Sequence, residues 1–379
     1  MRVLVLGAGR MGFGAVYDLL NNSVGIERVT VADKDEVCLE VFRNRFIDER
    51  LYTITLDVSD YEAAYSLIEA HDTAISCVNY WLNFELSKIA IETQTNFCDL
   101  GGNNYVVDKQ LALDEQAKAA GINIIPDCGL APGMVSVLAM YGVQKFDSVN
   151  SVKIRVGGLP QNPKPPLDYQ LVFSVEGLIN EYIEKARVIR DGKITEVNSM
   201  TETEALSFDG FPALEAFQTS GGTSTLPESL KGKVSDLDYK TIRFAGHCEK
   251  FKTMIDIGLC SSEPIDLNKV TIKPRELFAA LLTHSLPADE PDVVLVRLQF
   301  SGIQAGNNVA HTIDIIDRFD NKNGLSAMMR TTAFPASIIA QMMANGNTNL
   351  RGATPQEFAI NPNLFVEELE KRDIKLIEY

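Results

Sequence analysis

The chain has 379 residues, room for about two to three domains, and its 45% hydrophobic content is ordinary for a protein that buries a full core. Fifty-one acidic residues against 35 basic ones leave a net charge of −16, which opposes binding to nucleic acid or an anionic membrane surface. No apolar run is long enough for a membrane span, and a strand entered at residue 2 leaves no room for a signal peptide, so a cytoplasmic protein acting on small metabolites is expected.

In chain order, six apolar stretches read as strands: RVLVLG (2–7), RVTVAD (28–33), YTITLD (52–57), TAISCV (73–78), NFCDLG (96–101) and INIIP (122–126). Amphipathic helical patterns separate them at 10–21, 35–47, 60–70, 83–94 and 108–120, with Gly121 closing the last. This alternation predicts an α/β fold, a doubly wound parallel sheet with right-handed crossovers, over residues 1–130. After DCGLAPG (127–133) the texture changes. A helix is predicted over 134–145, strands over 151–159 and 169–174, and then a short helix. The run ARVIRDGKITEV reads as a hairpin turning at Asp191-Gly192. Long antiparallel strands are predicted in 292–302 and 309–334, with turns at Gly302 and Asn323-Gly324. Residues 131–334 are therefore expected to form an α+β domain on a mostly antiparallel sheet. Helices return at 335–345 and 363–371, leaving the segment 335–379 to pack on either domain.

Between the first strand and first helix lies GAGRMG. Gly7 permits the tight turn, Gly9 lets backbone approach a pyrophosphate, and Gly12 lets the helix pack on the strand; Arg10 and Met11 complete the loop. Asp33 ends the second strand 21 residues after Gly12, placed for a ribose diol. A carboxylate there favours NAD over NADP, although Lys34 beside it could tolerate a phosphate. This is the turn of a Rossmann nucleotide-binding half. Asp57 and Val58 should approach the adenine, unless Asp57 only caps the next helix. Cys77, Val78, Asn79 and Tyr80 at the fourth strand end, with Cys128 and Gly129 after the sixth, should line the nicotinamide half; Tyr80 is a substrate-side candidate. Asp99 ends the fifth strand as either a catalytic carboxylate or a turn former.

Oxidation of an amine needs a base to take the ammonium proton, and a charged amino acid needs a cation for its carboxylate. TIRFAGHCEKF offers Arg243 for the carboxylate and His247 as an alternative base to Asp99. A surface ion pair for Arg243 and an ordinary half-buried role for His247 stay open. Thr223 and Ser224 lie in a glycine-rich loop suited to substrate contact. Six scattered cysteines without a CxxC pair, and four histidines without ligand spacing, predict no metal site.

Taken together, VLGAGRMG, DCGLAPGM, GGLPQNPKPPLDYQLVFS and TIRFAGHCEKF resemble the saccharopine dehydrogenase and lysine 6-dehydrogenase family across most of the chain. The proline-rich segment and RVIRDGKITEV look most like the lysine 6-dehydrogenase branch. That resemblance implies NAD-dependent oxidation of the ε-amine of free L-lysine, releasing ammonia and a semialdehyde. It also implies a cofactor in the cleft between the domains, and a homodimer formed through the sheet domain. Saccharopine-forming members carry Asn-Arg-Asp where this chain reads TSGGT. The missing arginine suits a substrate with one carboxylate, and the family's carboxylate contact carries over to Arg243. The rivals are a saccharopine-type enzyme joining an amino acid to a carbonyl compound, and a non-catalytic NAD-binding sensor or scaffold.

Overall fold

The computed structural model describes residues 1–268 and 270–379. The first part of the chain runs β1 (Arg2–Leu6), α1 (Arg10–Asn21), β2 (Arg28–Asp33), α2 (Glu36–Arg45), β3 (Leu51–Thr55), α3 (Tyr61–Glu69), β4 (Thr73–Ser76), α4 (Asn83–Glu92), β5 (Asn96–Asp99), α5 (Asn104–Leu111), α6 (Asp114–Ala120), β6 (Asn123–Ile125) and α7 (Met134–Val143). The single helix expected over 108–120 is two. Asn103 starts α5 early by accepting the Tyr105 and Val106 amides, and Asp114 and Glu115 open α6 with acids in its first turn.

The middle part runs β7 (Ser148–Pro160), α8 (Val175–Ile183), β8 (Ala186–Arg190), β9 (Lys193–Val197), β10 (Glu204–Leu206), β11 (Leu214–Gln218), α9 (Leu226–Leu230), β12 (Asp236–Phe244), α10 (His247–Asp256), β13 (Ile265–Leu267), β14 (Val270–Ile272), α11 (Pro274–Ser285), β15 (Asp292–Gln304) and β16 (Asn307–Arg318). The chain ends with α12 (Ala327–Ala344), β17 (Gly352–Ala353), α13 (Gln356–Ala359), α14 (Pro362–Lys371) and β18 (Ile377–Glu378).

These elements form two units, Met1–Lys145 with Met329–Lys375, and Phe146–Met328 with Leu376–Tyr379. In the first, seven strands pair in the order β17-β6-β5-β4-β1-β2-β3, every neighbour parallel. Val3 to Leu6 of β1 are wholly buried, as expected of a parallel strand covered on both faces. In the second, the order is β10-β11-β12-β7-β15-β16-β18, with β8 on β12 and β9 on β8; only β12 and β7 pair in parallel among the described strands.

Three expectations are corrected here. Residues 169–174 form no strand. The buried Tyr169 and Leu171 pack instead among Leu178, Tyr182, Phe251 and Phe278 of α8, α10 and α11. The second half of 309–334 is helical from Ala327, whose amide, with that of Met328, is capped by the Asp292 carboxylate. The β15–β16 turn falls at Ala305-Gly306, both in the left-handed region. Gly302 instead marks a bulge, where a Cβ would lie 2.3 Å from the Ser148 carbonyl oxygen. The Asp191-Gly192 hairpin is present, with φ of 50° and 73°.

Candidate functional site

In the first unit, β1 delivers the glycine loop to the carboxyl end of the sheet, where α1 begins. Gly7 has φ +104°, and a Cβ on it would lie 2.9 Å from the Cys77 carbonyl oxygen and 3.1 Å from Val78 Cγ1. A Cβ on Gly12 would lie 1.9 Å from the Gly7 carbonyl oxygen, so helix and loop touch through backbone. Gly9 is different: nothing lies within 4 Å of where its Cβ would project. Gly9 caps α1 without a side-chain bond, and the first turn, with Arg10 exposed and Met11 half-buried, holds no acid. A helix start with no acid in its first turn fits a pyrophosphate.

Asp33 ties this loop to β2. Its Oδ2 accepts the Ala8 amide at 2.7 Å and its Oδ1 the Asp35 amide at 2.9 Å. Each oxygen keeps capacity for a ribose hydroxyl. The flanking charges are mainly negative: Asp35 and Glu36 follow, and Arg43 is paired to Glu36. Lys34 is exposed and acts on Asp57, which the Ser59 hydroxyl and amide already hold below the usual carboxylate range. Asp60, not Asp57, caps α3. The Val58 side chain is in the apolar core. Asn79 is exposed, and the Tyr80 ring stands over Gly102, where a Cβ would meet Cδ1 at 3.1 Å. Burial raises the Cys77 and Cys128 thiols, and Cys128 donates to the Ile125 carbonyl at 3.2 Å. Gly129 sits against Gly133, whose Cβ would lie 2.2 Å from the Gly129 carbonyl oxygen.

Asp99 has no exposed surface. It accepts the Gly101 amide at 2.7 Å, the Asp127 amide at 3.3 Å and Gln110 Nε2 at 2.7 Å. Burial raises its pKa against the pull of these donors. The carboxylate is thereby committed to holding the loops after β5 and β6.

The second unit gathers a different cluster. Along β12, Tyr239, Thr241 and Arg243 share one face by the period of two. Glu215, opposite Arg243 on β11, accepts the amides of Gly246 and Cys248 at 3.0 and 2.6 Å, and so fixes the start of α10. His247 is thereby set beside Arg243, between the Phe217 and Phe251 rings. Arg243 Nε donates to the Tyr182 hydroxyl at 2.8 Å, and that hydroxyl lies 3.1 Å from His247 Nε2. His247 Nδ1 lies 2.9 Å from the Leu167 carbonyl, which can only accept. The proton is therefore on Nδ1, and Nε2 accepts from Tyr182. Burial, then the Arg243 charge, lowers the His247 pKa to about 3.

Arg243 is 3% exposed, and its guanidinium makes no ion pair or hydrogen bond with a carboxylate among the described residues. Its only other bond among the described residues is Nη1 to the Ile242 carbonyl at 2.9 Å. Nη2 makes no hydrogen bond among the described residues, and the Tyr169 ring lies 4.7 Å from Cζ. Thr223 donates to the Arg187 carbonyl at 3.1 Å, Ser224 has φ 41°, and Gly222 leaves room for the Tyr239 ring. Arg243, His247 and the 219–225 loop thus belong to one unit, and Asp99, Tyr80 and the glycine loop to the other. Sequence reasoning missed Tyr169, Glu181 and Tyr182. A signal existed: Glu181 follows Leu178 by three positions on α8, a carboxylate on the helix's apolar face.

Residues 3–125 match the saccharopine dehydrogenase NADP binding domain, and residues 129–374 the saccharopine dehydrogenase C-terminal domain. The mitochondrial alpha-aminoadipic semialdehyde synthase of Mus musculus is 23% identical over 93% of this chain and 45% of its own length. A saccharopine dehydrogenase [NADP(+), L-glutamate-forming] of Pyricularia oryzae is 27% identical over 64% of this chain and 55% of its own. The chain spans about half the length of these curated relatives. Among solved structures, apo saccharopine dehydrogenase (L-Glu forming) from Saccharomyces cerevisiae has the same fold, with a TM-score of 0.82, 21% identity, and coverage of 100% of this chain and 99% of that one.

Proposed function

We infer, on the premise that this chain belongs to the saccharopine dehydrogenase family, that it is an NAD-dependent oxidoreductase acting on a C–N bond of an amino acid, with L-lysine oxidised at its ε-amine. The observation that carries the substrate class is Arg243: a buried guanidinium that makes no ion pair with a carboxylate among the described residues, and whose Nη2 makes no hydrogen bond among them, can receive one. Tyr182 orients the guanidinium, and His247 in turn orients Tyr182, so both act as positioning residues.

The glycine loop fits a dinucleotide, whose chemistry when bound is to accept the hydride. The amides at the start of α1 would hold the pyrophosphate, and Asp33 the ribose diol. The family's domain description and the Pyricularia oryzae relative both name NADP. In this chain the carboxylates of Asp33, Asp35 and Glu36 gather at the ribose end, and Arg43 is already paired. That balance disfavours a 2′-phosphate and supports NAD.

Asp99 and His247 are both committed to bonds within the chain, which supports structural roles for them over proton transfer. A saccharopine reading is favoured by one observation: Arg187, at the 219–225 loop, has a buried Nε with no hydrogen-bond partner among the described residues, a second guanidinium able to meet a second carboxylate. The two readings separate in one assay. L-lysine, L-ornithine and saccharopine are each offered with NAD and with NADP, and cofactor reduction is followed; the lysine reading requires NADH from lysine alone.

A further inference from the structure

We propose that Glu181 receives the α-ammonium of the amino acid whose carboxylate Arg243 receives, so that these two side chains together select a free α-amino acid head group. This rests on the amino-acid reading above and adds a residue to it.

Glu181 lies on α8 next to Tyr182, the residue bonded to Arg243 Nε. Its backbone carbonyl accepts the Ser220 amide at 3.0 Å, which fixes it against the 219–225 loop. Its carboxylate makes no hydrogen bond or ion pair among the described residues, although Arg243 is close enough to act on it. Burial pushes its pKa up to about 7, with Arg243 pulling the other way. The side chain is half-buried, and a carboxylate withdrawn from much of the solvent is costly to leave unpaired.

Arg243 and Glu181 attract each other but make no hydrogen bond or ion pair with each other among the described residues. An α-amino acid carries its ammonium and carboxylate on a single carbon, so its head group can bridge a cation and an anion held a short gap apart. The lining suits this occupant. The Tyr169, Tyr182 and Tyr239 hydroxyls and rings lie within electrostatic reach of Glu181. Tyr169 is 1% exposed, and its hydroxyl finds no partner at hydrogen-bonding geometry among the described residues, though the Val172 backbone is near. Aromatic faces also favour an ammonium group.

The test compares L-lysine with 6-aminohexanoate, which keeps the carboxylate and the ε-amine and lacks the α-ammonium. In the wild type, kcat/KM should favour lysine. In Glu181→Gln that preference should fall by about tenfold or more, carried by the lysine KM, while the lysine kcat stays within a few fold. Glu181→Gln should also melt at a higher temperature than the wild type above pH 7, which separates loss of function from loss of fold. Equal losses on both compounds, an unchanged preference, or a lost kcat together with a lost acidic limb of its pH profile would each overturn the assignment. If the wild type reduces no nicotinamide with either compound, the amino-acid reading itself fails. If it does and the preference survives the substitution, only the Glu181 assignment fails.

Discussion

Tyr182→Phe removes one oxygen and leaves the ring. That oxygen accepts from Arg243 Nε at 2.8 Å and donates to His247 Nε2 at 3.1 Å, and all three side chains are buried. A hydrogen bond to a charged group contributes about 1.5–3 kcal/mol and a neutral one about 0.5–1.5 kcal/mol. With both partners left unsatisfied out of water, the combined loss should be about 2–4 kcal/mol of stability. The guanidinium also loses the contact that orients it, so the lysine KM should rise about tenfold, equivalent to about 1.4 kcal/mol. Urea unfolding monitored by tyrosine and tryptophan fluorescence reads the first effect, and steady-state NADH formation the second. A variant with the parental urea midpoint and a lysine KM within about twofold of the parent would refute the relay from Arg243 through Tyr182 to His247.

Arg243→Lys keeps the charge and loses the fork; kcat/KM for lysine should fall at least about tenfold, with little change for cadaverine, which has no carboxylate. Asp33→Ala removes the acceptor for the Ala8 and Asp35 amides as well as the ribose contact, so the Kd for NAD, measured by calorimetry, should rise at least about tenfold. Asp99→Asn should cost about 1–3 kcal/mol by placing an amide donor against donors, and leave the pH profile of lysine oxidation in place; loss of the acidic limb would instead make Asp99 the base. Stability should respond to pH through two opposed groups. His247, lowered from 6.5 to about 3, contributes fully above about pH 6.5, and its contribution is lost as pH falls towards 3. Glu181, raised from 4.5 to about 7, works the other way: its contribution is present below about pH 4.5 and is lost as pH rises through 7. Melting curves across pH should therefore peak between these limits, and Glu181→Gln should flatten the alkaline side.

The parallel half of the fold was legible because short, largely apolar strand runs alternate with helical periods from Arg2–Leu6 to Asn123–Ile125, although the break between α5 and α6 was not. β17 was not: two residues, Gly352 and Ala353, carry no period and join the sheet only by register with Asn123 and Ile124. Only the first half of α12 was hidden, by Thr331-Thr332, which read as strand, and by Pro335, which stands inside the helix. YQLVFS alternates like a strand, yet its alternation serves packing against helices. The nucleotide loop was readable because its glycines are local demands of one turn. The substrate cluster was only half readable. Arg243 and His247 stand four positions apart, but Tyr182 joins them from 61 residues away, a distance over which sequence carries no pairing signal.

The central question is whether an amino-acid amine reduces NAD on this chain. The direct measurement is cofactor reduction with L-lysine, L-ornithine and saccharopine, each with NAD and NADP at equal concentration. NADH formed from lysine, with saccharopine and NADP inactive, is the predicted result. Turnover confined to saccharopine with NADP would contradict the lysine and NAD assignments. Nucleotide binding without reduction by any amine would contradict the enzymatic reading altogether.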